Sequence, residues 1–494
     1  MTDSRRLVDK LWAYCDVLRD DGVGVLEYTE QLTYLLFLKM AHERATRTLA
    51  PERILPSKYD WQRLLDASGM ELEILYAKML MGLAREPGVV GTIFRKSQNR
   101  IQDPAKLQRL VHDLIGQEHW TGTGTDITGD AYESLLAKGA SDKGSGAGQY
   151  FTPRPLIQAM VDVIDPTIDD TVVDPACGTG GFLLVAHEHA ARDAASMTPT
   201  QRDKLRDDFV YGYELVDGTA RLAAMNLLLH GIGTYSGEAQ IDVRDSLTAD
   251  PGRRWSVVLS NPPFGRKSSL ATIGADGRES REDAAIERQD FAASTSNKQL
   301  NFLQHIMTIL DTDGRAAVVL PDNVLFEGGA GETIRRKLLA DFDLHTMLRL
   351  PTGLFYAQGV KANVLFFDKR QARPGEPWTD KLWVYDLRTN KHFTLKQNPL
   401  RRADLDDFVA CYAPGRSRLT RVESERFRAF TYDELVARDK ANLDITWLKD
   451  DSLTDLDSLP SPDVIAREIV EDLTAALAEF EAVAASLEAQ LDRS

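Results

Sequence analysis

The chain is poor in cysteine. Its three, Cys15, Cys177 and Cys411, lie far apart, which excludes a disulfide framework and a four-cysteine zinc site. Long apolar runs are missing as well, since nothing approaches the ~18 consecutive apolar residues of a membrane-spanning helix. The start, Met-Thr-Asp-Ser-Arg-Arg, carries no secretory signal, so a reducing cytoplasmic location without a membrane partner is expected. No Gly-x4-Gly-Lys-Ser/Thr loop is present, which argues against ATP hydrolysis by that route. Positive charge is also short: 59 Lys and Arg against 75 Asp and Glu leave a net charge of −16, a balance that on its face disfavours a polyanionic partner.

That deficit is local. From Thr431 to Ser494 there are 16 acidic and 5 basic residues, so most of the excess negative charge sits in a tail and the preceding body is nearly balanced. A length of 494 residues suggests about three domains. The reading is a helical domain over 1–138, an α/β domain over 139–430 and an acidic helical tail over 431–494. Leu7 to Leu18, Leu32 to Met40 and Ile74 to Leu83 carry helical spacing. Gly139 to Gly148 reads as a flexible joint. In the tail, Ile465, Ile469, Leu473, Leu477 and Phe480 recur at three- and four-residue steps behind Pro460 and Pro462. Such a stripe fits core packing and also a helix that docks on another chain.

Beyond the joint, short β-type runs alternate with helical ones. Thr171–Val173 ends in Asp174, Phe209–Tyr213 in Glu214, Val257–Leu259 in Ser260 and Asn261, and Ala316–Leu320 in Pro321. Helices are expected over Leu183–Arg192 and Thr219–His230. The alternation predicts a doubly wound, mostly parallel sheet whose ligands bind beyond the carboxyl ends of the strands.

The distinctive residues fall at those ends. In Asp174-Pro-Ala-Cys-Gly-Thr-Gly-Gly-Phe182 the glycines let backbone approach a bound nucleoside, and the carboxylate is placed to fix an amino group. Glu214 ends the second strand, where an acid holds ribose hydroxyls. Asp245 follows the run Ala239–Val243 and is placed to accept from an adenine amine. Each acid alone reads as a surface or capping residue, but in series they outline a nucleoside site. Asn261-Pro-Pro-Phe264 is the most specific signal. Two prolines remove two backbone donors and stiffen the turn, Asn261 offers a side-chain carbonyl, and Phe264 offers a flat face. Together they suit a planar group bearing an exocyclic amine.

Taken with Gly148-Gln-Tyr-Phe-Thr-Pro-Arg154 ahead of the glycine turn, this series resembles the S-adenosylmethionine-dependent DNA adenine-N6 methyltransferases in their gamma motif order. Gly129-Asp-Ala-Tyr-Glu-Ser-Leu-Leu136, Leu320-Pro-Asp-Asn-Val-Leu-Phe326, Leu350-Pro-Thr-Gly-Leu-Phe355 and Ala437-Arg-Asp-Lys-Ala-Asn-Leu-Asp-Ile445 narrow the resemblance to the modification (M) subunits of type I restriction-modification systems. It implies a class I, Rossmann-like methyltransferase fold with an N-terminal helical domain and a C-terminal helical tail. S-adenosyl-L-methionine is the implied cofactor, bound by Gln149, Tyr150, Phe151, Thr152, Asp174, Ala176, Gly178, Thr179, Gly180, Glu214 and Asp245. Asn261, Pro262, Pro263 and Phe264 are the implied catalytic residues, with Phe264, Phe355 and Tyr356 stacking on a flipped adenine.

Implied partners are duplex DNA, a specificity (S) subunit that reads the sequence, and two copies per complex, with a restriction (R) subunit left open. No metal is expected. His187 and His189 point to different helix faces and read as surface histidines. Asn-Pro-Pro-aromatic also occurs in RNA and protein-glutamine methyltransferases, and a silent cofactor-binding scaffold is a further alternative. Cys177 lies in the cofactor turn and Cys411 lacks helpful neighbours, which disfavours a cytosine-C5 enzyme. The stretch Arg266–Lys298 holds six basic and six acidic residues with little periodicity, and reads as disordered or as a lid ordering on DNA. Arg401–Arg428 holds seven arginines against five acids, which fits a phosphate-contacting surface or a solvated face.

Overall fold

The computed structural model describes residues 25–47, 51, 53, 55–120, 152–234, 237–264, 269–273, 279–283, 285–355, 360–373, 375–395 and 398–449. Gln149, Tyr150, Phe151 and Tyr356 lie outside them. So do the first predicted helix, the glycine-rich joint, Gly129–Leu136 and the tail stripe beyond Lys449. By contacts the chain forms two units, Met1–Thr446 and Trp447–Ser494.

The first unit begins with helices α1 (Val25–Ala45), α2 (Trp61–Asp66), α3 (Gly69–Leu83), α4 (Gly88–Phe94) and α5 (Pro104–Gln108), the last running into a π-helical stretch, Arg109–Ile115. Local chemistry sets the starts. The Asp60 carboxylate accepts from the Gln62 N–H ahead of α2, and Asp103 accepts from the Ala105 N–H with Pro104 in the first turn of α5. Trp61, Tyr76 and Phe94 are buried, and the Tyr34 and Phe94 rings lie 5.1 Å apart. Residues 31–41 of α1 are buried on every face, because α1 also packs against the α/β part. There the Arg221 guanidinium donates to Glu30 and, at 2.7 Å, to Asp217.

The α/β part follows as α6 (Arg154–Ile164), β1 (Val172–Asp174), α7 (Gly181–Ala190), α8 (Pro199–Asp207), β2 (Val210–Glu214), α9 (Asp217–Leu229), β3 (Ile241–Val243), β4 (Trp255–Ser260), β5 (Ser269–Ile273), β6 (Glu279–Asp283), α10 (Lys298–Ile309), β7 (Leu310–Pro321), α11 (Asn323–Phe326), α12 (Ala330–Asp341), β8 (Phe342–Arg349), β9 (Ala362–Lys369), β10 (Lys381–Asp386), α13 (Asp406–Tyr412), β11 (Phe427–Thr431) and α14 (Tyr432–Ala437). Nine strands join one sheet in the order β3-β2-β1-β4-β7-β9-β8-β10-β11. Neighbours from β3 through β7 are all parallel, while β9 is inserted antiparallel between β7 and β8, and β11 closes the far edge antiparallel to β10. The predicted α/β architecture is present, and the strand order reverses direction between β1 and β4. That reversal leaves a crevice at the strands' carboxyl ends.

The Arg266–Lys298 stretch is not featureless. β5 and β6 form an antiparallel ribbon, and an isolated bridge joins Ile286 to Thr295. Both strands are short, and Glu279–Asp283 has no apolar alternation, so periodicity does not reveal it.

Candidate active site

Four consecutive strands of the sheet, β3-β2-β1-β4, each bring one candidate residue to their carboxyl ends. Asp174 ends β1 and is fully buried. Its Oδ1 accepts from the Ala176 N–H at 3.0 Å and from the Ser260 hydroxyl at 2.7 Å. Burial, with Glu214 nearby, pushes its carboxyl up to about 7. The turn after β1 holds Gly178 and Gly180 at positive φ, 54° and 85°, conformations that a side chain disfavours. Gly180 caps α7, and the Asn226 amide donates to the Thr179 carbonyl at 3.0 Å, tying the turn to α9. Ala176 lies between the two fixed points of this turn.

Glu214 ends β2 and grips the same turn. One carboxylate oxygen accepts from the Gly178 N–H at 3.0 Å and the other from the Val216 N–H at 2.8 Å, while burial raises its pKa above the usual carboxylate range. Asp245 follows β3, is exposed, and accepts from the Leu247 N–H at 2.9 Å. Its neighbour Ser246 donates to the Pro175 carbonyl at 2.6 Å, which seats this loop beside the glycine turn. Asp174, Glu214 and Asp245 are therefore joined through one turn.

Asn261 follows β4. Its amide nitrogen donates to the Thr152 hydroxyl at 2.9 Å, and its buried Oδ1 has no hydrogen-bond partner among the described residues. Pro262 is buried, and the Pro263 carbonyl accepts from the Gln299 side chain at 3.1 Å, so the first turn of α10 braces the double-proline turn. Phe264 is half-buried and meets Phe355 edge-on at 5.2 Å, interplanar angle 82°. Phe355 itself is only 5% exposed. In this structure it buttresses Phe264 rather than presenting a free face.

Sequence reading missed Ser260 and Gln299. Ser260 is signalled by its place between a strand and Asn261, whereas Gln299 is brought in only by the tertiary fold. The Cys177 thiol is buried and raised well above its ordinary pKa by desolvation and the two acids, the opposite of a poised nucleophile. The histidines differ from the expectation of a surface pair. His187 is half-buried, stacks edge-on near Phe209 and is pushed down to about 4 by burial, while His189 is half-buried and bonds Asp165 at 2.8 Å.

Four of the seven arginines between 401 and 428 are occupied internally. Arg402 pairs with Asp162 at 2.7 Å, Arg418 with Asp343 and Asp368, Arg421 donates to the Tyr412 carbonyl at 2.9 Å, and Arg426 to the Asp386 carbonyl at 2.8 Å. For those four, a phosphate-contacting role gives way to a structural one. Composition does not separate the two, because their partners include backbone carbonyls and acids brought in from elsewhere in the sequence.

The residues fit S-adenosyl-L-methionine. Two buried carboxylates face a turn whose Gly178 and Gly180 hold backbone that a side chain disfavours, as an amino acid joined to a nucleoside requires, and a buried amide oxygen without a partner among the described residues stands three positions before an aromatic residue. The model of the N-6 DNA Methylase family matches residues 123–447, and that of the HsdM N-terminal domain matches residues 7–114. The chain is 40% identical to the type I restriction enzyme EcoKI methylase subunit of Escherichia coli K12, covering 99% of this chain and 97% of that one. It is 39% identical to the StySPI methylase subunit of Salmonella potsdam, covering 97% and 94%. Among solved structures, a chain from a study of assembly and conformational transition in the type I R-M system superposes with a TM-score of 0.69 at 26% identity, covering 99% of both chains.

Proposed function

We propose, for a chain that belongs to the methylase (M) subunits of type I restriction enzymes, that the crevice between β1 and β4 is where it methylates adenine N6 in DNA. The family membership makes the chain an adenine-specific DNA methyltransferase that works with DNA and a specificity subunit. The residue roles, two copies per complex and engagement of a restriction subunit are our reading. One observation carries the placement: the buried Oδ1 of Asn261, without a hydrogen-bond partner among the described residues, held directly after β4 and three positions before Phe264.

S-adenosyl-L-methionine supplies an electrophilic methyl group on a sulfonium. Asp174 would hold its ammonium group, Ala176, Gly178, Thr179 and Gly180 would line it, Glu214 would accept from the ribose and Asp245 from the cofactor adenine. Gln149, Tyr150 and Phe151 belong to the same set by motif and lie outside the described residues.

The target amine is a weak nucleophile because its lone pair is delocalised into the ring. Asn261 Oδ1 and the Pro262 carbonyl would accept its two N–H bonds, which favours a more tetrahedral nitrogen with its lone pair directed at the methyl group. Neither acceptor needs to change protonation state. Phe264 would stack on the base, with Phe355 setting the angle of that ring, and Tyr356 completing the contact by motif. A base buried in a duplex must leave the stack, at a cost of a few kcal/mol. The direct experiment is labelled methyl transfer to genomic DNA by this chain with and without its specificity subunit, followed by nucleoside analysis. N6-methyladenine in the presence of the partner supports the reading. Absence of that product, or label in protein or RNA instead, contradicts it.

A further inference from the structure

Asn261 serves only if its amide is the right way round. An asparagine side chain is nearly symmetric in shape, yet one end accepts hydrogen bonds and the other donates. With Oδ1 facing the target, an exocyclic amine finds an acceptor. Turned by half a revolution, the same side chain presents N–H to N–H, loses that hydrogen bond and repels the nucleophile. A side chain free to swing or turn would spend part of its time unable to accept, so what the far end of the amide touches matters.

What it touches is Thr152. The hydroxyl lies 2.9 Å from Asn261 Nδ2, and the two residues are 109 positions apart in sequence. Thr152 is 8% exposed, so water is a poor substitute for it. Its backbone is also constrained. Thr152 precedes Pro153, which disfavours helical backbone at Thr152, and Pro155 follows in the first turn of α6. The Pro153 carbonyl accepts from the Leu156 N–H at 2.9 Å, and Arg154 reaches Glu188 on α7 at 2.8 Å, so the segment is anchored to the α6–α7 pair. The hydroxyl thus stands on a stiff mount.

From this we infer that Thr152 is a positioning residue: its hydroxyl, which accepts from Asn261 Nδ2, anchors the far end of the amide and so holds the side chain with Oδ1 toward the target adenine amine. This rests on the proposed role of Asn261 and departs from the role that the Thr-Pro motif suggests, a contact with the methionine end of the cofactor. The two roles separate experimentally. A hydroxyl acting on the cofactor changes cofactor affinity. A hydroxyl acting on Asn261 changes the rate of transfer at saturating cofactor.

The test uses the chain with its specificity subunit and DNA carrying the target site. It compares Thr152→Val, which keeps shape and removes the acceptor, Thr152→Ser, which keeps the hydroxyl, and Asn261→Ala. Single-turnover methyl transfer and equilibrium binding of S-adenosyl-L-methionine are measured for each. Loss of the buried hydrogen bond that anchors the Asn261 side chain predicts about a tenfold or greater fall in rate for Thr152→Val, with cofactor Kd within about threefold of wild type. Thr152→Ser should recover most of the rate, which a packing role would not produce. A raised Kd with an unchanged saturated rate for Thr152→Val overturns the inference, as does equal loss in the Ser and Val variants. If Asn261→Ala loses transfer while Thr152→Val keeps it, only the Thr152 role fails. If both keep it, the catalytic role of Asn261 fails as well.

Discussion

Asp174 offers a prediction in which function and stability pull in opposite directions. Its carboxyl is buried at the end of β1 and pushed up to about 7, first by desolvation and partly by Glu214. An unfolded aspartate titrates near ~3.9, so the folded form is much harder to ionise. The sign follows from linkage. A raised folded pKa contributes stability that is fully present below ~3.9 and is lost as pH rises through about 7. Above that range the ionised group costs the cofactor-free fold about 4 kcal/mol.

Asp174→Asn removes the charge and keeps an oxygen that accepts from the Ala176 N–H and the Ser260 hydroxyl. Its new NH2 group needs a partner, which offsets about 1 kcal/mol. The variant should therefore be more stable than wild type by roughly 3 kcal/mol at pH 8 and no more stable at pH 4. Denaturant unfolding of the cofactor-free protein across pH 4–8, followed by far-UV circular dichroism, reads this out. The same variant should bind S-adenosyl-L-methionine at least tenfold more weakly, since a charge-assisted hydrogen bond contributes about 1.5–3 kcal/mol. A stability gain that does not depend on pH, or a loss at pH 8, would refute the reasoning about burial. Undiminished cofactor affinity would remove Asp174 from the site.

Two further predictions concern packing, one at the site and one elsewhere in the fold. Phe355→Ala leaves Phe264 without its edge-on partner and should lower methyl transfer by about tenfold through loss of aromatic packing worth roughly 0.5–1.5 kcal/mol beyond area, while cofactor binding stays near wild type; a large loss of cofactor affinity would show that Phe355 holds the cofactor side instead. The buried Arg335 of α12 donates to the carbonyls of Val324, Glu327, Lys440 and Ala441 and so clamps the Ala437–Ile445 motif onto α11. Arg335→Met should destabilise the chain by about 3–5 kcal/mol, because it strands buried carbonyls; limited proteolysis should then cut near residue 440 first, and unchanged resistance there would contradict the clamp.

The sequence made the strand-end residues legible for a physical reason. β-runs alternating with helices place every parallel strand's carboxyl end on one side, so Asp174, Glu214, Asp245 and Asn261 had to share a crevice once the alternation was seen. Links across the fold were not legible in that way. Ser260 meets Asp174 from 86 residues away and Asn261 meets Thr152 from 109, and neither pair leaves a periodic trace. The antiparallel insertion of β9 follows from the connections around it, while its own run Ala362–Lys369 is buried at seven of eight positions and reads the same in either direction. Arginine content misled for a related reason. Arg418 and Arg421 look like a surface until Asp343, Asp368 and Thr346 are brought beside them by β8 and β9.

The proposed role of Asn261 as acceptor for the target amine can be checked in a single comparison. Single-turnover methyl transfer to site-bearing DNA, in the presence of the specificity subunit, is compared for wild type and Asn261→Ala alongside equilibrium binding of S-adenosyl-L-methionine. N6-methyladenine formation should fall by at least about a hundredfold while cofactor affinity stays within a few-fold of wild type. Transfer near the wild-type rate in the variant would contradict that role.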